Sequence, residues 1–209
     1  MSTTTPPSPP PQPGAWRPLA CPRCVLRDFR EEDLPVFSAY RSDPLVARYQ
    51  SWSPPFTLED ARAFHETLRA TPFGAPGTWY QIAIADPTTD ALLGDCAVHF
   101  LEDGMQAEIG FTMAREHQGR GLMREAVSAL LDHLFGELGK HRVIAVTDAR
   151  NDGAIRLLSG LGFRREGHFL QNVFFKGAWG DEMLFACLAS ERRERRAKVA
   201  EAPHDRLTK

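Results

Sequence analysis

Apolar residues between positions 122 and 135 fall at Leu122, Met123, Ala126, Val127, Leu130, Leu131, Leu134 and Phe135, adjacent pairs that repeat every four residues. That spacing lines one face of a helix and predicts an amphipathic α-helix. Other stretches alternate instead. Trp79 to Ala85 and Leu92 to Phe100 read as two strands of a hairpin, parted by the turn Asp86-Pro-Thr-Thr-Asp90. Ala107 to Met113 and His141 to Thr147 read as two more strands, and a helix led by Asn151 follows the second. Upstream, Val25 to Phe29 is a short first strand, and Glu32 or Asp33 is placed to cap a helix running to Arg41. Thr57-Leu-Glu-Asp60 has the form of a capping box before a second helix to Arg69. The order is strand, two helices, three strands, helix, strand, helix, two strands, with no internal repeat. Hairpin strands followed by strand–helix–strand units imply an α/β domain with a mixed sheet.

Both ends break the pattern. Residues 1–20 hold seven of the 16 prolines and predict a disordered, extended leader. Residues 191–209 are rich in charge and predict a frayed helix or a solvated tail, leaving 21–190 as the folded domain. Composition adds little to this. A hydrophobic content of 43% and a charged content of 25% are ordinary for a globular chain. The net charge of −2 gives no general attraction to nucleic acid or an anionic membrane. No apolar run could span a bilayer, and the N-terminus lacks the pattern of a signal peptide, so a cytoplasmic location is expected. Cys21-Pro-Arg-Cys24 has the spacing of half a zinc site, but Cys96 and Cys187 stand singly and supply no second pair, so no metal is expected.

The chemistry concentrates where the third hairpin strand meets the long helix, at Glu108-Ile-Gly-Phe-Thr-Met-Ala-Arg-Glu-His-Gln-Gly-Arg-Gly-Leu-Met-Arg124. Gly119 and Gly121 sit where the helix begins. The N–H groups of its first turn lack helical partners, and the helix dipole favours negative charge there. Glycine lets a ligand approach that backbone closely, and Arg120 and Arg124 add positive charge, so the turn suits a pyrophosphate. A plain tight connection between strand and helix is the alternative. A P-loop fits poorly because no Gly-Lys-Ser/Thr follows, and a dinucleotide fingerprint fits poorly because the third glycine is missing and the turn lies in mid-chain.

With the strand His141–Thr147 and the segment Asn151-Asp-Gly-Ala-Ile-Arg-Leu-Leu-Ser-Gly-Leu-Gly-Phe163, the sequence resembles the GCN5-related N-acetyltransferase (GNAT) family from about Val25 to Ala189. The family's acyl-CoA signature is Gln/Arg-x-x-Gly-x-Gly/Ala. Gln118-Gly-Arg-Gly-Leu-Met123 fits it everywhere except at its last place, Met123. Gly121-Leu-Met-Arg-Glu-Ala126 and Lys176-Gly-Ala-Trp-Gly-Asp181 resemble the RimJ/RimL branch, which acetylates the N-termini of ribosomal proteins. The resemblance implies the GNAT fold: an α/β domain with a mixed, mostly antiparallel seven-stranded sheet, splayed at its fourth and fifth strands and flanked by four helices.

It also implies roles. Acetyl-CoA would be the acyl donor. Phe111, Thr112 and Met113 would pair with the pantetheine arm, and backbone N–H groups among Gln118, Gly119, Arg120, Gly121, Leu122, Met123 and Arg124 would hold the pyrophosphate. Asn151 would bond the arm near the acetyl group, or serve as a helix N-cap, or both. The side-chain acids and bases of the family are not reproduced: their usual positions hold Leu158, Ala154 and Val146. Glu108 is then the candidate general base, against the alternative of a salt-bridged strand residue. His99, and Asp95 on the same strand face, are weaker candidates, and His117 would flank the cofactor.

The acceptor would be a primary amine, in the first place a protein N-terminal α-amine of the ribosomal-protein type. A small amine such as an antibiotic or polyamine is an alternative, as is a non-catalytic acyl-CoA-binding module. Tyr49, Trp52, Phe56, Phe174, Phe175 and Trp179 would grip the acceptor or simply pack as a lid. No membrane or nucleic-acid partner is expected, and the chain would be a monomer or a homodimer.

Overall fold

The computed structural model describes residues 16–201. The expectations for the first fifteen residues and for 202–209 lie outside them. Eight strands form one sheet: β1 (Leu19–Ala20), β2 (Val25–Arg27), β3 (Thr78–Ala85), β4 (Leu92–Phe100), β5 (Gln106–Met113), β6 (Arg142–Asp148), β7 (Arg164–Phe175) and β8 (Ala178–Leu188). The helices are α1 (Leu34–Arg41), α2 (Pro44–Ala47), α3 (Leu58–Ala70), α4 (Leu122–Gly136), α5 (Asp152–Leu161) and α6 (Ala189–Glu201). The strand order is β1-β2-β3-β4-β5-β6-β8-β7, antiparallel except for the β5–β6 pair.

Seven strands and four helices were expected. The eighth strand is β1, inside the stretch read as leader. It pairs with β2, and Trp16 just before it is buried with its ring 4.8 Å from Phe73. One large aromatic side chain outweighs the proline-rich composition around it, because it removes a large apolar area from water. The charged stretch from Glu191 is helical. Arg192 is buried and donates from Nε to Asp132 on α4 at 3.0 Å. The short α2 follows from Asp43, whose side chain accepts the Leu45 N–H at 2.8 Å ahead of Pro44 at the first helical position.

Helices cover both sheet faces. The predicted apolar stripe of α4 packs on one of them: Ala126, Val127, Leu130, Leu131 and Leu134 are fully buried with Ile82, Val98, Ile109 and Val143 of the strands. On the other face α1 and α3 bring Phe37, Tyr40 and Ala61 against Ala83 and Leu92. The Thr57 capping box is present: Thr57 Oγ1 accepts the Asp60 N–H at 3.1 Å, and Asp60 accepts the Thr57 N–H at 2.7 Å. Asp33, expected as a helix cap, makes no cap bond to α1. Its carboxylate instead takes Nη1 and Nη2 of the buried Arg27 at 2.7 and 2.9 Å, while Arg27 Nε reaches Asp90 at 2.7 Å. Arg27→Met would leave the Asp33 charge buried without its partner. We expect a loss of about 3–5 kcal/mol in urea unfolding; a loss under about 1 kcal/mol would show that Asp33 reaches water.

The feature that positions the site is a divergence in the middle of the sheet. β5 and β6 pair only through Gln106, Ala107 and Glu108 with Arg142, Val143 and Ile144. Beyond Glu108 they separate, and the sheet opens between them. This is the divergence expected of the fourth and fifth strands, renumbered by the extra β1.

Candidate functional site

Backbone chemistry builds one wall of the opening. In an antiparallel ladder, the N–H and C=O of one residue point to the same side. Ala114 donates to Leu93 of β4 at 3.0 Å, so Phe111 and Met113, of opposite parity, turn their N–H and C=O groups away from β4 and into the gap. Side-chain amides take both carbonyls: Gln50 Nε2 donates to Phe111 O at 3.3 Å, and Gln118 Nε2 donates to Met113 O at 2.9 Å.

After Met113 the chain passes a 3-10 turn at Arg115–His117 and enters α4 through Gly119 (φ 73°) and Gly121 (φ 81°). Both angles are left-handed, which glycine adopts without strain. Gly121 is the N-cap residue of α4 and has no side chain with which to cap it, so the first N–H groups stay open to a ligand. Arg23 braces the turn from the N-terminal segment. It donates from Nη2 to Arg120 O at 3.0 Å and from Nε to Glu125 at 2.7 Å, which also neutralises the one acid in the first turn of α4. Across the gap, Asn151 Oδ1 accepts the Ala154 N–H at 3.2 Å and caps α5.

These parts enclose a cleft of about 700 Å³. Ten of the eleven residues expected to hold the cofactor line it; Arg120 does not, its carbonyl being held by Arg23. His117 lines it as well, beside the turn. Arg156, which sequence reasoning missed, adds a cation on the α5 side, and Arg124 lies against Gly160 of the same helix. Leu45, Val46 and Tyr49 line the cleft as well.

A second cleft of about 390 Å³ opens on the α1/α3 face and shares Gln50, Phe111 and Thr112 with the first. Its floor is Gln81, Asp95, Ala97 and Gly110 of β3, β4 and β5; Arg41, Trp52, Phe64 and Trp79 form its sides. Asp95 is almost fully buried and accepts hydrogen bonds from Tyr40 Oη and Gln81 Nε2. Burial pushes its carboxyl above the usual aspartate range, opposed by the nearby Arg41 charge and by those hydrogen bonds. Tyr40 is pushed well above a normal phenol by burial and by the Asp95 charge. Asp95 is therefore held in a buried network at the floor of this cleft.

Glu108 stands two residues from Gly110 on the same face of β5, opposite His99, at the point where β5 and β6 part. Burial raises its carboxyl above the ordinary glutamate value; His99 opposes this and Glu182 adds to it. The His99 ring stacks on Trp79 at 4.9 Å and 12°. At the three customary acid/base positions, Leu158 is buried in the core, Ala154 lines the large cleft and Val146 is exposed on the diverging β6. Among the described residues, no group of three or more His, Cys, Asp or Glu is placed to hold a metal.

The family model of the acetyltransferase (GNAT) domain matches residues 23–164. The chain belongs to the GNAT family of acetyltransferases. A GNAT relative called uncharacterized N-acetyltransferase p20, from Bacillus licheniformis, is 30% identical over 170 residues, covering 81% of this chain and 94% of its own. The [ribosomal protein uS5]-alanine N-acetyltransferase of Escherichia coli (strain K12) is 27% identical over 116 residues, 54% of this chain and 60% of its own. Among solved GNAT structures, the spermidine N-acetyltransferase from Vibrio cholerae, in complex with CoA and spermine, shares the fold. Its TM-score is 0.71 at 21% identity, over 82% of this chain and 98% of that one.

The second cleft was the part least foreseen. Arg41, Tyr40, Gln81 and Gln50 were not singled out from sequence. One signal existed: in the helix Leu34–Arg41, Phe37, Tyr40 and Arg41 stand at i, i+3 and i+4, which places an arginine on the buried stripe.

Proposed function

We propose that this GNAT enzyme transfers the acetyl group of acetyl-CoA to a primary amine, in the first place a protein N-terminal α-amine. The observation that carries the donor reading is the gap between β5 and β6, which ends at an uncapped helix N-terminus with left-handed glycines and arginines nearby. An extended pantetheine arm fits the outward N–H groups of Phe111 and Met113, and a pyrophosphate fits the start of α4. The amine would approach from the second cleft, which meets the first at Phe111 and Thr112.

Chemistry then needs few side chains. The neutral amine nitrogen attacks the thioester carbonyl, a C–N bond forms and the C–S bond breaks. The proton shed by the amine passes to a base, and the thiolate leaves and is protonated from water or from that same proton. Glu108, where β5 and β6 part and with its carboxyl raised by burial, is the base in this scheme, with His99 opposite it as the weaker candidate. No side-chain acid is required, because a thiolate is a fair leaving group.

The test is a mass-spectrometric acceptor screen with acetyl-CoA against short peptides with free or blocked N-termini and against spermidine. The expected result is a gain of one acetyl group on free N-termini only. Acetylation of spermidine in preference to every peptide would remove the N-terminal reading and leave acetyl transfer intact.

A further inference from the structure

One buried charge in the second cleft has no hydrogen-bonded counterpart. Arg41 closes α1 and only 7% of its surface is exposed. Its guanidinium carbon lies 4.0 Å from the Trp52 ring centre, 4.2 Å from Phe37, 5.0 Å from Phe64 and 5.1 Å from Phe56. Aromatic faces offset part of a cation's desolvation, but they do not satisfy the in-plane N–H donors of a guanidinium. Arg41 Nε has no hydrogen-bond partner. None of the ion pairs found among the described residues includes Arg41.

The nearby acid relieves it only in part. Asp95 Oδ2 accepts from Tyr40 and Oδ1 from Gln81, and Asp95 attracts Arg41 through space without a hydrogen bond between the two. Natural proteins rarely leave a buried guanidinium without an acceptor, because its dehydration is then uncompensated. Here the group lines a cleft that shares Gln50, Phe111 and Thr112 with the donor cleft. A molecule seated on Arg41 would therefore lie in a cleft that borders the donor cleft.

We propose that the 390 Å³ cleft binds acceptors whose amine and carboxylate belong to one molecule, the carboxylate docking on Arg41. The guanidinium fork matches a carboxylate in two parallel N–H···O bonds, and Trp52, Phe64 and Trp79 offer apolar walls to the rest of the molecule. The acceptor class is then a free amino acid, through its α-carboxylate, or a peptide whose first residues carry an acidic side chain. Polyamines are excluded, since their distal ammonium would face Arg41. The amine half of this rests on the acetyl-transfer reading above; the anion seat does not.

The experiment compares acceptor pairs that differ by one charge: phenylalanine with phenylalaninamide, and an Asp-Ala-Ala-amide peptide with its Asn counterpart. In the wild type, kcat/KM should favour the carboxylate member of one pair by about ten- to a hundred-fold, through KM and not kcat. Which pair responds tells the amino acid from the acidic peptide. Arg41→Met, close in volume, should erase the preference while the Kd for acetyl-CoA stays unchanged. Equal rates within both pairs in the wild type overturn the proposal, as does a preference that survives in Arg41→Met. If no amine is acetylated, the acetyl-transfer reading fails, and calorimetry with phenylacetate and phenylacetamide decides the anion seat alone. Binding of phenylacetate only, lost in Arg41→Met, upholds it; equal binding or none overturns it. Should Arg41→Met not fold, the wild-type comparisons stand without it, and Arg41→Lys, which keeps the charge but loses the fork, replaces it.

Discussion

Gly121→Glu should weaken acetyl-CoA binding by more than about a hundred-fold in a calorimetric titration of the purified protein. Three effects act together at this position. Its φ of 81° is left-handed, and a side chain there costs about 1–2 kcal/mol, either as strain or as a shift of the turn. A new carboxylate would stand among the first N–H groups of α4, where it competes with any phosphate and repels it. A β-carbon at this position also lies 3.2 Å from Arg23 Nη2, so the glutamate would draw Arg23 from the Arg120 carbonyl and loosen the brace of the turn. Losing two charge-assisted hydrogen bonds, at about 1.5–3 kcal/mol each, gives at least the hundred-fold. Thermal unfolding separates this from general damage, since the strain alone lowers Tm by only about 2–8 °C in a chain of this size. Undiminished affinity would mean that the donor is not held at α4.

Glu108→Gln is the second large effect: kcat should fall about 10²–10⁴-fold with the acetyl-CoA Kd unchanged. The variant keeps size and shape and removes only the basic oxygen. The pH profile adds an independent reading. Glu108 works deprotonated, so kcat/KM should rise with pH through an acid limb above the ordinary glutamate range, the direction in which burial moves this carboxyl. In Glu108→Gln that limb should vanish. Stability runs the other way. A carboxyl whose folded pKa is raised favours the fold below its unfolded pKa, and that contribution is lost as pH rises through the folded value. The glutamine variant should thus be the more stable protein at neutral pH and the poorer enzyme. A kcat reduced less than about three-fold would remove Glu108 from the reaction and turn attention to His99.

Local patterns carried much of this architecture, and distant pairings carried the rest. The α4 stripe, the β3–β4 hairpin and the Thr57 capping box depend on residues a few positions apart, and each was legible from spacing. The glycine turn was legible for the same reason, since the residues that shape it are consecutive. Arg23, Arg41 and Arg156 were not. Arg23 meets its partners about a hundred residues along the chain, and Arg41 acquires its meaning only when Trp52 and Phe64 fold over it. Asp33 shows the opposite failure: a residue type suited to capping was drawn away by a buried arginine that no local pattern announces. The strand and helix counts erred at short elements such as β1 and α2, which tertiary pairing and a single cap stabilise more than any periodicity does.

The parting of β5 from β6 puts two strand edges inside the sheet instead of at its rim. Side chains shield the Phe111 and Met113 carbonyls, through Gln50 and Gln118. Open strand edges invite pairing with other chains, and a molecule lying along them acts as a removable inner strand. The acetyl donor would then be a folding ligand as much as a reagent. By mass action, a donor concentration a hundred times its Kd would add about 2.7 kcal/mol to stability, a large share of what holds a typical domain together. Metabolic supply of the donor would then govern how long each copy of the enzyme lasts as well as how fast it turns over.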